Sequence, residues 1–373
     1  PSTGDAQFAQ KRYPLAEAAY SEELKLTPKN SIEFGEVTEQ LAASIYKQGE
    51  AAREAGDLRA AAAQFLRLGT VTPNSKIRVN AEYDAAAALI KLEDWAAAEG
   101  VLENFRKLFP GHALEADVDK KLAVAYQKDN KPFQAAQAYG RIALRQSETP
   151  DTRREAAWLS ATLFDQAKSV PEAQKAYELY VGSYPRPLAR AMDARQRLVD
   201  YAKDSKDVTR QLLWMRQIIT ADETAGAERS DATKAMAATA ALDVGRITAA
   251  DAKSLRLSAP VEKSLPQKKQ AMEAAIQALS KAAGYGYAEI TTAATFELGS
   301  LYQDFGKALM ESERPRKLSE LELEQYNLLL EEQAFPFEEK AIATHENNLK
   351  RISNGLYDEW VARSYRALAQ MAP

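Results

Sequence analysis

His112 and His345 are the only imidazoles in the chain. His112 follows Pro110-Gly111 in a turn-like stretch and has no second ligand beside it. His345 precedes Glu346, but a zinc-binding helix needs a second imidazole one turn on, and none follows. Both therefore read as solvated surface residues, and no metal site is expected. Adjacent acids are commoner: Glu22-Glu23, Glu331-Glu332 and Glu338-Glu339. General acid–base work needs carboxyls that face each other across a cleft in unlike surroundings. Neighbours on one helix diverge by about 100°, so these pairs read as solvated helix faces. No Gly-x-Ser-x-Gly elbow, phosphate-binding loop or dinucleotide fingerprint is present. Gly284-Tyr285-Gly286 lacks a third glycine and a preceding strand. With no cysteine, thiol catalysis, thiolate metal sites and disulfides are excluded. No catalytic residue and no cofactor is expected.

The larger pattern lies in the elements that would have to position any site. From Tyr46 one arrangement recurs four times, at intervals of 37, 37 and 38 residues. The first copy carries Gly49, Ala61, Phe65 and Pro73, and the second Ala86, Ala98, Leu102 and Pro110. The third carries Ala123, Ala135 and Tyr139, and the fourth Ala161, Ala173, Tyr177 and Pro185. A polar turn divides each copy, at Gly56-Asp57, Glu93-Asp94, Asn130-Lys131 and Ser169-Val170. Small residues let two helix axes approach, and the large apolar residue four positions later fills the next space. Alanine is also the strongest helix former. A two-helix unit cannot bury its apolar face alone, so such units stack. The period predicts an all-α helical solenoid, and no alternating strand pattern appears anywhere.

Small, aromatic or aliphatic, turn, alanine, large apolar, proline is an order that resembles the tetratricopeptide repeat. The copies exceed that family's usual length of about 34 residues, and the tryptophan near its repeat start is missing. The resemblance spans about residues 13–217. It includes a half-unit with Ala16, Tyr20 and Pro28, four units from about 42, 79, 116 and 154, and a weaker one with Leu198, Tyr201, Asp207 and Trp214. It implies a right-handed solenoid that binds another protein or a peptide segment along a concave groove lined by the first helix of each unit. Mapped onto this chain, the groove positions are Tyr46, Tyr83, Lys120 and Trp158, with Arg53, Lys91, Gln127 and Gln166 beside them. Aromatic faces supply contact area at low entropic cost, while amides and cations meet backbone carbonyls and carboxylates. Two readings stay open for the aromatics: they face a ligand, or they pack against the next unit.

Residues 218–317 read as divergent helical repeats. Within them Thr220–Gly226 reads as a loop, 231–245 and 249–253 as two helices, and Pro266 as the start of a helix through Lys281. Residues 318–373 read as a C-terminal helical cap. It begins at the capping-box pair Ser319 and Glu322 and runs helix, proline-marked kink at Pro336, helix. That segment resembles the end of large bacterial envelope repeat proteins found beside Tol, TonB and gliding systems. The basic runs Lys268-Lys269 and Arg314-Pro315-Arg316-Lys317 read as solvated turns.

A net charge of −4 supplies no electrostatic footprint for nucleic acid. No apolar run approaches the roughly 18–20 residues that span a bilayer. The absence of cysteine suits an oxidising envelope, and the opening in mid-repeat predicts a targeting segment upstream. The expectation is a non-enzymatic interaction scaffold, periplasmic or outer-membrane-associated. A helical-superhelix or α/α-barrel enzyme acting on cell-wall glycan and a purely structural spacer are the alternatives. Oligomeric state is not legible.

Overall fold

Each polar dipeptide that divides a repeat is a helix stop followed at once by a helix start. In the computed structural model, which describes residues 2–371, Gly56, Glu93, Asn130, Lys168 and Lys206 all adopt the left-handed conformation, with φ of 82°, 59°, 54°, 58° and 58°. The next N–H then reaches back to the carbonyl five residues earlier. Asp57 bonds Ala52 at 2.9 Å, Asp94 bonds Leu89 at 3.0 Å and Lys131 bonds Tyr126 at 2.8 Å. Ser169 bonds Phe164 at 3.0 Å and Asp207 bonds Ala202 at 2.8 Å. Together with the shorter bond from the left-handed residue itself, this is a Schellman closure. The same residue that ends one helix caps the next: Asp57, Asp94 and Asp207 accept from the N–H three positions on.

Only the first of the five left-handed positions is a glycine. A side chain there costs about 1–2 kcal/mol, partly offset by the freer unfolded chain that glycine brings. Glu93→Gly is therefore expected to stabilise the protein by about 0.5–1 kcal/mol, and Gly56→Ala to destabilise it by about 1 kcal/mol. Thermal unfolding of the two variants checks this; shifts of the same sign in both would contradict it.

These turns join an all-α chain, with no strand among the described residues. The helices form two compact units that meet between Tyr180 and Val181. The first contains α1 (Thr3–Ala9), α2 (Tyr13–Leu26), α3 (Ile32–Glu54), α4 (Leu58–Val71), α5 (Arg78–Lys91) and α6 (Trp95–Leu108). It continues with α7 (Glu115–Lys128), α8 (Pro132–Leu144), α9 (Pro150–Gln166) and most of α10 (Val170–Ser183). Successive helices from α1 to α9 pack against one another in chain order. Ala61, Ala98, Ala135 and Ala173 are buried, as are Ala86, Ala123 and Ala161. Phe65, Leu102 and Tyr177 fill the neighbouring space, while Tyr139 is half-buried. At Gly49 even a methyl would stand 2.5 Å from the Phe65 ring, so the ring packs directly on helix backbone.

The second unit holds α11 (Leu188–Asp204), α12 (Val208–Glu223), α13 (Asp231–Ser254), α14 (Val261–Gly284), α15 (Ala288–Met310), α16 (Glu320–Lys350) and α17 (Glu359–Met371). Several local expectations change here. The loop expected at Thr220–Gly226 is helical through Glu223. Buried Asp222 anchors that helix end, accepting from Arg229 at 3.0 Å and from the Thr233 hydroxyl at 2.9 Å. Residues 231–254 are one helix, because Ala249 and Ala252 continue the buried face of Ala238, Ala241 and Gly245.

Pro266 lies inside α14, which starts at Val261 after Pro260. Lys268 is not a solvated residue but 2% exposed. Its ammonium donates to the carbonyls of Ala252 (2.8 Å) and Leu255 (2.9 Å) at the end of α13, and to Asp304 (3.2 Å). Arg314, in the other basic run, likewise donates to the carbonyls of Met310 and Ser312 at the end of α15. Each cation satisfies helix carbonyls left without intrahelical partners.

α16 passes through Pro336 as one helix. Buried Ala334 and half-buried Phe337, whose ring stands edge-on to Phe305 at 4.5 Å, hold the turns flanking the proline against α15. His345 is also corrected: it is fully buried. It sits where Gly299 of α15 has no side chain, since a methyl on Gly299 would come within 2.5 Å of the imidazole. Its Nδ1 lies 3.0 Å from Ser364 Oγ of α17, and Asn348 Nδ2 donates to Ser364 (2.9 Å) and to the Thr292 carbonyl (3.0 Å). α16 and α17 thus cover α15 through a small polar cluster.

Candidate functional site

Tyr46 and Tyr83 stand one repeat apart on α3 and α5. Each hydroxyl donates to a carboxylate of the following first helix, Tyr46 to Asp84 and Tyr83 to Asp117. Burial and the carboxylate acceptor push both phenols up to about 12, so they stay neutral donors near pH 7. Cations complete each rung. Arg53 lies 3.7 Å from Asp84, and Lys121 lies 3.3 Å from Asp117 and 5.5 Å from the centre of the Tyr83 ring. Lys120 turns elsewhere, to Glu148 at 3.1 Å in the connection before α9. These contacts bind α3 to α5 and α5 to α7.

The eight expected groove residues therefore divide. Tyr46 and Tyr83 are half-buried and serve as struts between units. Arg53, Lys91, Lys120, Gln127 and Gln166 are exposed, although Gln127 accepts from the Tyr139 hydroxyl at 2.5 Å. Trp158 packs on its own hairpin, 6.1 Å from the Tyr177 ring and 5.2 Å from the Tyr180 ring. Asp84 and Asp117, which complete the rungs, escaped the sequence reading. The available signal was an acid on each following first helix, Asp84 in the middle of α5 directly after Tyr83 and Asp117 in the first turn of α7.

His112 is half-buried rather than simply solvated. Its Nδ1 accepts from the Leu114 N–H at 3.0 Å and its ring meets Phe105 edge-on at 6.0 Å. No group of three or more His, Asp or Glu side chains among the described residues is placed to hold a metal ion. No described helix is long and apolar enough to cross a membrane.

Buried acids recur in the first unit, each with cations. Asp119 of α7 is fully buried among Arg106, Arg141 and Arg145. Glu82 faces Arg78 at 3.2 Å, and its burial pushes the carboxyl up from its ordinary value despite that arginine. Glu82 shares a surface cavity of about 610 Å³ with Glu103. Glu103 is held by Arg106 (3.1 Å) and the Tyr126 hydroxyl (2.9 Å).

Residues 38–204, a little under half of the chain, match the family model described as "YfiO: Outer membrane lipoprotein". No curated protein matches the chain. Solved structures similar to it include the crystal structure of MamA, at 18% identity over 53% of this chain and 96% of that one, with a TM-score of 0.25. Another is Naa15/Naa10 bound to HypK-THB, at 15% identity over 92% of this chain and 62% of that one, with a TM-score of 0.32. A circular tandem repeat protein matches at 14% identity over 99% and 86%, with a TM-score of 0.23. These likenesses are too remote to bear on function. The matched region contains four of the Schellman-turned joints and ends two residues before the fifth, and with that repeated joint and its buried alanines the chain is an all-α helical-repeat protein whose units resemble the tetratricopeptide type.

Proposed function

We propose that this protein is a non-enzymatic protein–protein interaction scaffold that docks a partner segment on the concave, first-helix face of its first unit, within a bacterial envelope assembly. A repeat fold of this type suits such a role. One observation carries the choice of face: the Tyr46–Asp84 and Tyr83–Asp117 rungs lock α3, α5 and α7 side by side with Arg53, Lys91 and Gln127 exposed on them, and Gln166 is exposed on α9. Rigid backing lowers the entropy that a partner must overcome. Exposed cations and amides can meet carboxylates and backbone carbonyls of an extended or helical segment. With the tyrosine hydroxyls already engaged, specificity falls to the exposed residues. The match to a family described as an outer membrane lipoprotein supports the envelope location.

The glycan-cleaving alternative would rest on Glu82 and Glu103, but an arginine pairs each of them. A photo-crosslinking residue placed at Lys91 or Gln166 in the native host tests the scaffold reading, with exposed Lys107 on α6 as the control. Crosslinks to a polypeptide are expected from the first two positions only. Lys91→Glu should lower the yield from position 166 about fivefold, the effect of roughly 1 kcal/mol at an interface. No crosslink at either position favours a plain spacer, and equal yield from position 107 removes the assigned face.

A further inference from the structure

Arg195 of α11 carries a charge that its surroundings do not balance. It is half-buried, and among the described residues its one hydrogen bond is from Nε to the amide oxygen of Gln217, at 3.3 Å. Its Nη1 is buried without a hydrogen-bond partner among the described residues. Burial alone lowers its affinity for the proton, and no carboxylate acts against that. By contrast, Arg78, Arg141, Arg145 and Arg229 each have a carboxylate within 3.2 Å. An uncompensated, partly desolvated cation costs folding free energy unless something pairs with it.

Arg195 lines a cavity of about 710 Å³ that lies wholly within the second unit, between α11, α12 and the connection to α13. That volume is in the range of ligand sites. Its lining holds three arginines, Arg186, Arg195 and Arg216, against one acid, Glu228, which stands 3.8 Å from Arg186. The local balance is therefore positive in a chain of net charge −4. Leu188 and Leu213 form apolar wall, and Leu213 is half exposed although it is a large hydrophobe.

We propose that this cavity docks an acidic, apolar segment of a partner polypeptide. One carboxylate of the segment pairs with Arg195, and the neighbouring apolar side chain rests on Leu188 and Leu213. A single inner guanidinium flanked by leucines matches one carboxylate beside an apolar group. A nucleic acid would need a row of cations along its backbone, and the acidic chain as a whole opposes it. The site is separate from the first-helix face of the other unit and does not depend on it.

A heptapeptide phage library panned on the full 373-residue chain tests the proposal, followed by titration of the enriched peptides in solution. The expected consensus is Asp or Glu next to Leu, Ile or Phe. Affinity should fall at least about tenfold on exchanging the peptide's acid for its amide, and as much in Arg195→Met, the scale of a lost charge-assisted pair. Arg195→Met should also raise the unfolding temperature, since it removes an uncompensated charge. Arg195→Lys, which keeps the charge and loses the planar fork, should bind more weakly than wild type and better than Arg195→Met. Lys91→Glu, on the other face, should leave peptide binding unchanged.

Enrichment without an acid, or binding indifferent to both Arg195 variants and to the acid–amide exchange, overturns the proposal. So does binding lost through Lys91→Glu. A lower unfolding temperature in Arg195→Met would show that the chain already compensates the charge. Oligonucleotide binding or self-association abolished by Arg195→Met would give the cavity to another occupant.

Discussion

Asp119→Ala is expected to destabilise the first unit by about 3–5 kcal/mol, the effect of breaking a buried ion pair from one side. Asp119 is fully buried on α7 and gathers Arg106 from α6 and Arg141 and Arg145 from α8, with Arg141 Nε at 2.8 Å. Removing the carboxylate leaves three guanidinium groups facing one another. These arginines are about a quarter exposed, so water relieves part of the repulsion and the lower end of that range is expected. Asp119→Asn keeps the shape and loses the charge, and should recover only a small part of the loss. Urea unfolding followed by the helical signal measures both. A loss under about 1 kcal/mol in Asp119→Ala would mean that the cluster acts as an ordinary surface network. Double replacement of Asp119 and Arg145 by apolar residues should be milder than Asp119→Ala, because it removes both an acid and a cation.

His345 should produce the largest pH effect. Burial pulls its imidazole down to about 4 from an ordinary 6.5, so the folded protein holds it neutral where the unfolded chain would protonate it. The native state then binds fewer protons, and stability falls as pH drops below about 6.5, levelling off only below about 4. A separation of that size corresponds to about 3 kcal/mol. His345→Gln should lower stability at pH 7 through lost packing, yet show a loss between pH 6.5 and 4 that is smaller by most of that amount. Equal pH dependence in the two proteins would place the imidazole in contact with water. The physical cause is local. Gly299 admits the ring against α15, Ser364 meets Nδ1, and no carboxylate is among its hydrogen-bond partners.

The repeated joints were legible because their signal is local. A left-handed closure followed by an acid cap needs only neighbouring residues, and it recurs wherever Gly56-Asp57, Glu93-Asp94 or Lys206-Asp207 stands. The buried alanines were legible for a related reason: a helical period assigns their face before any partner is known. Lys268 and His345 were misread because composition puts lysine and an isolated histidine in water. What buries them is supplied by helices far along the chain, the ends of α13 for one and the gap at Gly299 for the other. Pro336 did not break its helix for the same reason, since packing on α15 holds both flanking turns.

The candidate face shows the same division. Spacing alone located Tyr46, Tyr83 and Lys120 at equivalent positions, and the choice between ligand contact and inter-unit packing stayed open. Tertiary structure engaged both tyrosine hydroxyls with Asp84 and Asp117, turned Lys120 to Glu148, and set Trp158 against Tyr177 and Tyr180. By itself, the sequence determined a helical repeat, its joints and its small-residue contacts, since these depend on backbone propensity and a period of a few residues. Only the tertiary structure decided which polar groups are buried, which carboxylate each cation meets, and that Arg195 meets none among the described residues. Those outcomes depend on distances between segments that no local pattern encodes.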